Sequence, residues 1–306
     1  MLCLSISELY LRYFSVTDNK IESKSQIDLG KKLDFQKDTA DKFYNNLSAI
    51  FNIISEQNNK SPEKLAISVP TSWVDLSIYN LDNELSVKEK VEYFEWKNQQ
   101  RFGQSVKDFT FQYYPMEMEQ IPKYLIVAYP KKMKNCLIKS AYKENFTIQF
   151  IDIDIFAALR AVNYLNLANN LESFALSLSS NNVNLPVIII EDNNIINYLE
   201  LNLNNLNSPV IKNAQPISDK LLNELISVHK DKKQMLKELS GIFTVGDENN
   251  LAIVQNNKRN KIEMIDLTDL LIKINSNNPI VEKDKILNGI SDYLEVLGLF
   301  ARGEKQ

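Results

Sequence analysis

Leu4-Ser5-Ile6-Ser7 near the start of the chain and Leu176-Ser177-Leu178-Ser179 past its middle are near copies of one motif, an apolar run closed by Ser-x-Ser. Their surroundings repeat too. Leu2 to Ser15 alternates apolar and polar residues as a strand does, and Ser25 to Leu33 continues it beyond a polar turn at Asp18-Asn19-Lys20. Ser173 to Ser180, Pro186 to Asp192 and Asn194 to Leu203 form a second set of strand-like runs, separated by asparagine-rich turns. Two meanders opened by the same motif predict a duplicated α/β lobe.

Composition bounds what such a protein can do. With 306 residues, 44% hydrophobic and 24% charged, the chain is long enough for two lobes with a core in each and lies in the globular range. A net charge of −4 supplies no basic field for nucleic acid. Cys3 and Cys136 make neither a disulfide framework nor a metal-ligand spacing, which points to a reducing cytoplasm. The first 16 residues carry Glu8 and Arg12 and lack the order of a signal peptide, and no apolar run reaches the roughly 18 to 20 residues of a membrane span. Seven glycines are few for a protein with several phosphate-cradling loops.

Between the meanders, Thr39 to Gln57 carries Phe43, Leu47, Ile50, Phe51 and Ile54 at helical spacing, and Lys64 to Val69 reads as a buried strand closed by Pro70. A change of pattern follows: strand Trp73 to Leu81, helix Ser86 to Phe102, strands Phe109 to Met116 and Tyr124 to Tyr129, and helix Lys131 to Glu144. This is the order of a small α+β insert. A strand at Ile148 to Asp154 then runs into a helix from Phe156 to Leu167. Beyond the second meander, helices are predicted at Ile217 to His229, Lys233 to Leu239, Leu251 to Lys258 and Lys285 to Phe300, with a strand at Gly241 to Val245.

Each residue that could carry chemistry also has a plainer reading. Ser5, Ser7, Ser177 and Ser179 can bind phosphate or simply close strand ends. Gly246 follows a strand and precedes a predicted helix, the setting for adenosine contact, but a lone glycine there reads first as a turn glycine. Asp152 and Asp154 flank Ile153, which on a strand sends both to one face as paired acids, while Asp154 can instead cap the next helix. His229, the only histidine, lies in the charged run His229-Lys230-Asp231-Lys232-Lys233 and reads as a solvated helix end. Trp73, Tyr93 and Trp96 are core or binding aromatics, and Lys131-Lys132-Met133-Lys134 a solvated helix start.

Leu65-Ala-Ile-Ser-Val-Pro70, Tyr93-Phe-Glu-Trp96, Phe109-Thr-Phe-Gln-Tyr113, Tyr124-Leu-Ile-Val-Ala-Tyr-Pro130, Ile151-Asp-Ile-Asp-Ile-Phe-Ala-Ala-Leu-Arg160 and Tyr293-Leu-Glu-Val-Leu-Gly-Leu-Phe-Ala-Arg-Gly303 together resemble the PilM family along nearly the whole chain. These are actin-like cytoplasmic proteins of type IV pilus machines, related to the cell-division protein FtsA. The resemblance implies a two-lobed actin-like α/β (α+β) fold: lobe one at 1–70 and 151–171, an inserted α+β subdomain at 71–150, lobe two at 172–200 and 241–306, and a small subdomain at 201–240. It departs at the nucleotide motifs. Where the family has Asp-x-Gly phosphate loops, which orient magnesium and admit phosphate to the backbone, this chain has Ser5-Ile6-Ser7 and Ser177-Leu178-Ser179. Of the family's Gly-Gly adenosine motif only Gly246 survives, and Arg12 stands where the family has a lysine.

The expectation is therefore a non-catalytic pseudo-ATPase scaffold of a pilus or secretion complex, without catalytic residues or metal, and without a cofactor unless an ATP/Mg site is retained. By resemblance to PilM, and by analogy with the docking domain of the secretion protein GspL, it would sit at the cytoplasmic face of the inner membrane. There it would bind the N-terminal segment of a PilN-like bitopic protein in a groove drawing on Trp73, Tyr93, Trp96 and Ile155. The alternatives are an active actin-like ATPase and a small-molecule kinase of the same superfold.

Overall fold

Leu2–Ile6 (β1) is buried at every position, so it lacks the alternation of a half-exposed strand; a strand covered on both faces reads as one apolar run. The computed structural model describes residues 1–58, 63–81, 85–116, 122–168, 171–179, 184–202, 240–246, 251–256, 261–266, 275, 280 and 290–303. Tyr10–Thr17 (β2) returns antiparallel to β1, and Lys20–Asp28 (β3) completes the meander. The β2–β3 connection is two residues, Asp18 and Asn19, with φ of 49° and 58°. Two left-handed residues in a two-residue hairpin match the right-handed twist of the flanking strands, and Asp and Asn tolerate that region best after glycine.

Ala40–Gln57 (α1) starts at Thr39, whose hydroxyl accepts the Lys42 N–H, and it buries Phe43, Leu47, Phe51 and Ile54. Glu63–Val69 (β4) lies parallel to β1. The chain then leaves this sheet. Asp75–Asn80 (β5), Val87–Phe102 (α2), Phe109–Met116 (β6) and Lys123–Pro130 (β7) build a separate antiparallel sheet in the order β5-β7-β6. A capping box opens α2, in which the Ser86 hydroxyl accepts the Glu89 N–H and the Glu89 carboxylate accepts the Ser86 N–H. The helix is pinned to the sheet at both levels of polarity. Phe94 stacks on Tyr113 at 4.4 Å, and buried Asn98 accepts from the Tyr79 hydroxyl at 3.0 Å and donates to the Tyr113 oxygen at 2.8 Å.

Lys131–Lys143 (α3) packs on α1, and Phe146–Ile153 (β8) pairs parallel with β4 from Glu63 opposite Phe146 to Val69 opposite Ile153. The separate sheet thus ends at Pro130. β8, which the expected insert of 71–150 would include in part, is a strand of the sheet ordered β3-β2-β1-β4-β8, and α3 packs on α1.

Asp154–Tyr164 (α4) leads to a second sheet. Ser173–Ser179 (β9), Asn184–Glu191 (β10) and Asn194–Asn202 (β11) form its meander, and Gly241–Gly246 (β12) lies parallel to β9. The β10–β11 turn is again two residues, Asp192 and Asn193, with φ of 48° and 67°. The order β11-β10-β9-β12 repeats β3-β2-β1-β4 with the same strand directions. The halves then diverge. Leu251–Asn256 (β13), expected as a helix, is a strand antiparallel to β12, and Lys261–Asp266 (β14) extends the sheet. Ile253 and Val254 are β-branched, a four-residue apolar run carries no decisive period, and the open edge of β12 supplies the ladder.

The chain divides into two compact units, Met1–Ser15 with Ser25–Ile153 and Val16–Lys24 with Asp154–Gln306. Helix α4, expected in lobe one at 151–171, therefore belongs to the second unit, where it packs against the closing helix Leu294–Gly303 (α5). That helix follows a 3-10 turn at Ile290–Tyr293. Its contact with α4 is close: a Cβ at Gly298 would lie 1.7 Å from the Ala157 carbonyl oxygen. The helices expected at 217–239, with His229, and residues 285–289 of the closing helix lie outside the described residues.

Candidate functional site

The parallel strands β1, β4 and β8 end together, and open α/β sheets place their ligands at that edge. Strand register brings a polar row to it. Arg12 lies opposite Ser5, Ser5 opposite Ser68, and Ser68 opposite Asp152, and all four residues are buried. Ser68 donates to the Ser5 oxygen at 3.0 Å, and Arg12 Nε donates to Gln26 Oε1 at 2.8 Å on β3. Asp152 Oδ1 accepts the Ile153 N–H at 2.9 Å. Buried polar groups persist only with such partners, so the row is an organised feature of the sheet. Two positions from Ser5, burial pushes the Cys3 thiol up to about 12.

Ser7 closes the β1–β2 turn. Its hydroxyl accepts the Tyr10 N–H at 2.9 Å and the Leu9 N–H at 3.4 Å, while its own N–H donates to the Tyr10 carbonyl at 2.8 Å. The donors that a phosphate loop would turn outward are engaged within the turn. The same turn carries the Glu8 carboxylate, which pairs with Lys32 at 2.5 Å and accepts from Ser72 at 3.4 Å. In the second sheet, Ser177 is fully buried and donates to the Phe243 carbonyl at 3.4 Å. Its register neighbours are Val187 and Thr244, so the charged ends of the first row have no counterpart beside it. Ser179 lies opposite Gly246. The next described element after Gly246 is β13, a strand antiparallel to β12 where a helix was expected.

On β1 and β9, Ser5 and Ser177 put hydroxyls where the resemblance to PilM expects carboxylates. Among the described residues, no group of three or more His, Cys, Asp or Glu side chains is placed to hold a metal ion, and no helix is long and apolar enough to cross a membrane.

The remaining candidates separate by burial. Asp154 opens α4, so the strand alternation that would pair it with Asp152 stops at Ile153; its carboxylate accepts the Ile155 N–H at 2.7 Å. Trp73, only 2% exposed, packs edge-on against Phe43 at 5.2 Å, and Ile155 is fully buried. Both are core residues and cannot wall an open groove, a correction to the expected set. Tyr93 is half-buried, with its hydroxyl on the Asn80 carbonyl at 2.8 Å. Trp96 is 51% exposed, lies 5.8 Å from the Tyr93 ring, and has Lys97 Nζ 5.1 Å from its centroid. Of the four aromatic and apolar positions expected at the groove, Tyr93 and Trp96 are the accessible ones.

Two sheets of shared order, each with an antiparallel meander and a parallel fourth strand, define an actin-like fold carrying a small α+β insert. The chain superimposes on the solved structure of a PilM-PilN type IV pilus biogenesis complex over 99% of its own length and 98% of that chain, with a TM-score of 0.67 at 13% identity. That likeness makes the fold PilM-like. Weaker likenesses reach the cytoplasmic domain of EpsL, an inner membrane component of the type II secretion system of Vibrio cholerae, with a TM-score of 0.44, 10% identity and 70% and 77% of the two chains covered. A Bacteroides thetaiotaomicron protein with an actin-like ATPase fold and unknown function gives a TM-score of 0.45 at 11% identity over 96% and 94%. No family model matches the sequence, and no curated protein does.

Proposed function

We propose that this protein is a non-catalytic actin-like scaffold of a type IV pilus or related secretion complex, held at the cytoplasmic face of the inner membrane by the N-terminal segment of a PilN-like bitopic protein. One observation carries the reading: at the ends of β1 and β9, where an actin-like ATPase needs acids and open backbone donors, the hydroxyls and N–H groups of Ser5, Ser7 and Ser177 are engaged inside the protein. A fold that keeps its topology without that chemistry suits docking. The fold likeness to a PilM-PilN complex supports a membrane-protein partner, and exposed Trp96 beside half-buried Tyr93 on α2 offers it an aromatic anchor.

A second reading, an active ATPase or small-molecule kinase with a drifted site, draws on buried Arg12 and Asp152 at the strand ends. Calorimetric titration of the protein with magnesium-ATP, and separately with a peptide from the N-terminal segment of the PilN-like protein of the same genome, distinguishes the two. The scaffold reading expects no heat and no thermal stabilisation with nucleotide, and peptide binding that Trp96→Ala weakens. Micromolar binding of magnesium-ATP would reverse the order, because a ligand that binds the folded state must stabilise it.

A further inference from the structure

Helix α3 contains five lysines and no acidic residue in its 13 positions, within a chain of net charge −4. Its inner face, with Met133, Cys136, Leu137 and Ala141, is buried. Its outer face pairs charge with apolar surface. Ile138 is 43% exposed and Tyr142, one turn further on, 79% exposed, and Lys134, Lys139 and Lys143 surround them, all exposed. At the N-terminal end, Lys132 donates to the Asp38 carbonyl at 3.1 Å and lies 5.3 Å from the Phe35 ring, and Lys131 donates to the Lys107 carbonyl at 2.5 Å. The three lysines around Ile138 and Tyr142 are the cations this face presents. Asp41 of α1 and Glu144 border the helix.

We infer that the outer face of α3 adsorbs to an anionic lipid surface, with Tyr142 and Ile138 at the headgroup boundary and the lysines among the headgroups. Three physical arguments converge. The concentration of positive charge on one face of a negative protein turns that face toward an anionic plane. An amphipathic aromatic beside an aliphatic side chain suits a boundary that is wet on one side and apolar on the other, and long lysine stems keep the charge in the headgroup layer. The cations are all lysine, a compact hydrated charge suited to a diffuse anionic layer, whereas an acidic protein segment is better gripped by the bidentate fork of arginine. Adsorption of this kind involves no insertion of backbone. It is independent of the partner reading above, since it needs no bitopic protein.

The test is co-sedimentation of the full chain with vesicles of phosphatidylcholine alone and of three parts phosphatidylcholine to one part phosphatidylglycerol, at low salt. The protein is expected to sediment with the anionic vesicles only and to be released by salt, which screens such contacts. Replacing two of the lysines, Lys134→Gln with Lys139→Gln, should lower partitioning by about 30-fold, the equivalent of about 1 kcal/mol per lysine. Lys88→Gln with Lys90→Gln on α2 should leave it unchanged. Tyr142→Ser, at a position too exposed to matter for folding, gives an independent loss, and circular dichroism confirms that each variant is folded. Equal sedimentation with both vesicle types, or no sedimentation, would overturn the inference. So would full binding by the α3 variants, or an equal loss in the α2 variant. Capture of soluble polyglutamate without vesicle binding would overturn it too, assigning the face to an acidic polypeptide.

Discussion

Replacing Gly298 by alanine pits two effects of opposite sign against each other. Within a helix, alanine is favoured over glycine by about 1 kcal/mol, so local propensity alone predicts a more stable protein. The tertiary contact predicts the reverse. The new methyl would lie 1.7 Å from the Ala157 carbonyl oxygen, 2.5 Å from its carbon and 3.0 Å from its Cα, all backbone atoms that no rotamer change can move. Restoring ordinary contact means parting α4 and α5 by roughly 1.5 Å, and a gap of even 0.5 to 1 Å forfeits a quarter to a half of each dispersion contact it opens. The faces parted hold Ala157, Ala158, Ala161, Val162, Val296, Leu297 and Leu299, all fully buried. Overpacking a close-packed core costs about 1 to 3 kcal/mol and more against rigid backbone. Taking the upper end and subtracting the propensity gain leaves Gly298→Ala destabilised by about 2 kcal/mol, with Gly298→Val worse because its branched side chain needs more room and it keeps only part of that gain. Urea unfolding followed by circular dichroism measures both. An alanine variant as stable as the wild type, or more so, would refute the close approach of α4 and α5.

Three further outcomes are expected. Asn98→Leu strips the buried Tyr79 hydroxyl and the half-buried Tyr113 hydroxyl of their shared partner and should cost about 2 kcal/mol in chemical denaturation; an unchanged midpoint would mean that the network contributes nothing. The Cys3 thiol, pushed by burial from 9.0 to about 12, should resist alkylation at pH 8 until denaturant is added, and because its folded value is the higher one, stability should be whole below pH 9 and fall as pH rises toward 12; rapid stoichiometric labelling of the native protein would contradict this. Glu89, held below its usual range by the Ser86 hydroxyl and N–H, has the opposite sign: its contribution is present at neutral pH and lost as pH falls through the depressed value, so amide exchange in the first turn of α2 should quicken in acid, and a Ser86→Ala variant, which keeps only the backbone N–H, should show a smaller pH response.

Much of the fold was legible because local chemistry wrote it. Thr17-Asp18-Asn19-Lys20-Ile21 and Glu191-Asp192-Asn193-Asn194-Ile195 hold the same left-handed Asp-Asn pair between strands, and those pairs mark the two meanders. The stripe of α1 and the helix of α2 opening at Ser86 were equally readable, each depending on residues within a few positions of one another. The misreadings involve partners far along the chain. Nothing near 146–153 says that β8 will pair with β4 and leave the insert at Pro130, and nothing within Leu251–Asn256 says that the edge of β12 will be open to receive a strand.

The candidate site divides the same way. The sequence by itself determined that Ser5 and Ser177 end two equivalent strands without an acid, since residue identity alone decides that a hydroxyl stands where a carboxylate would. Only the tertiary structure decided that Arg12, Ser5, Ser68 and Asp152 share one row, that the Ser7 turn satisfies its own donors, and that Trp73 and Ile155 are core while Trp96 reaches solvent. Registers across a parallel crossover, and burial itself, are set by which surfaces meet, and no spacing along the chain encodes that meeting.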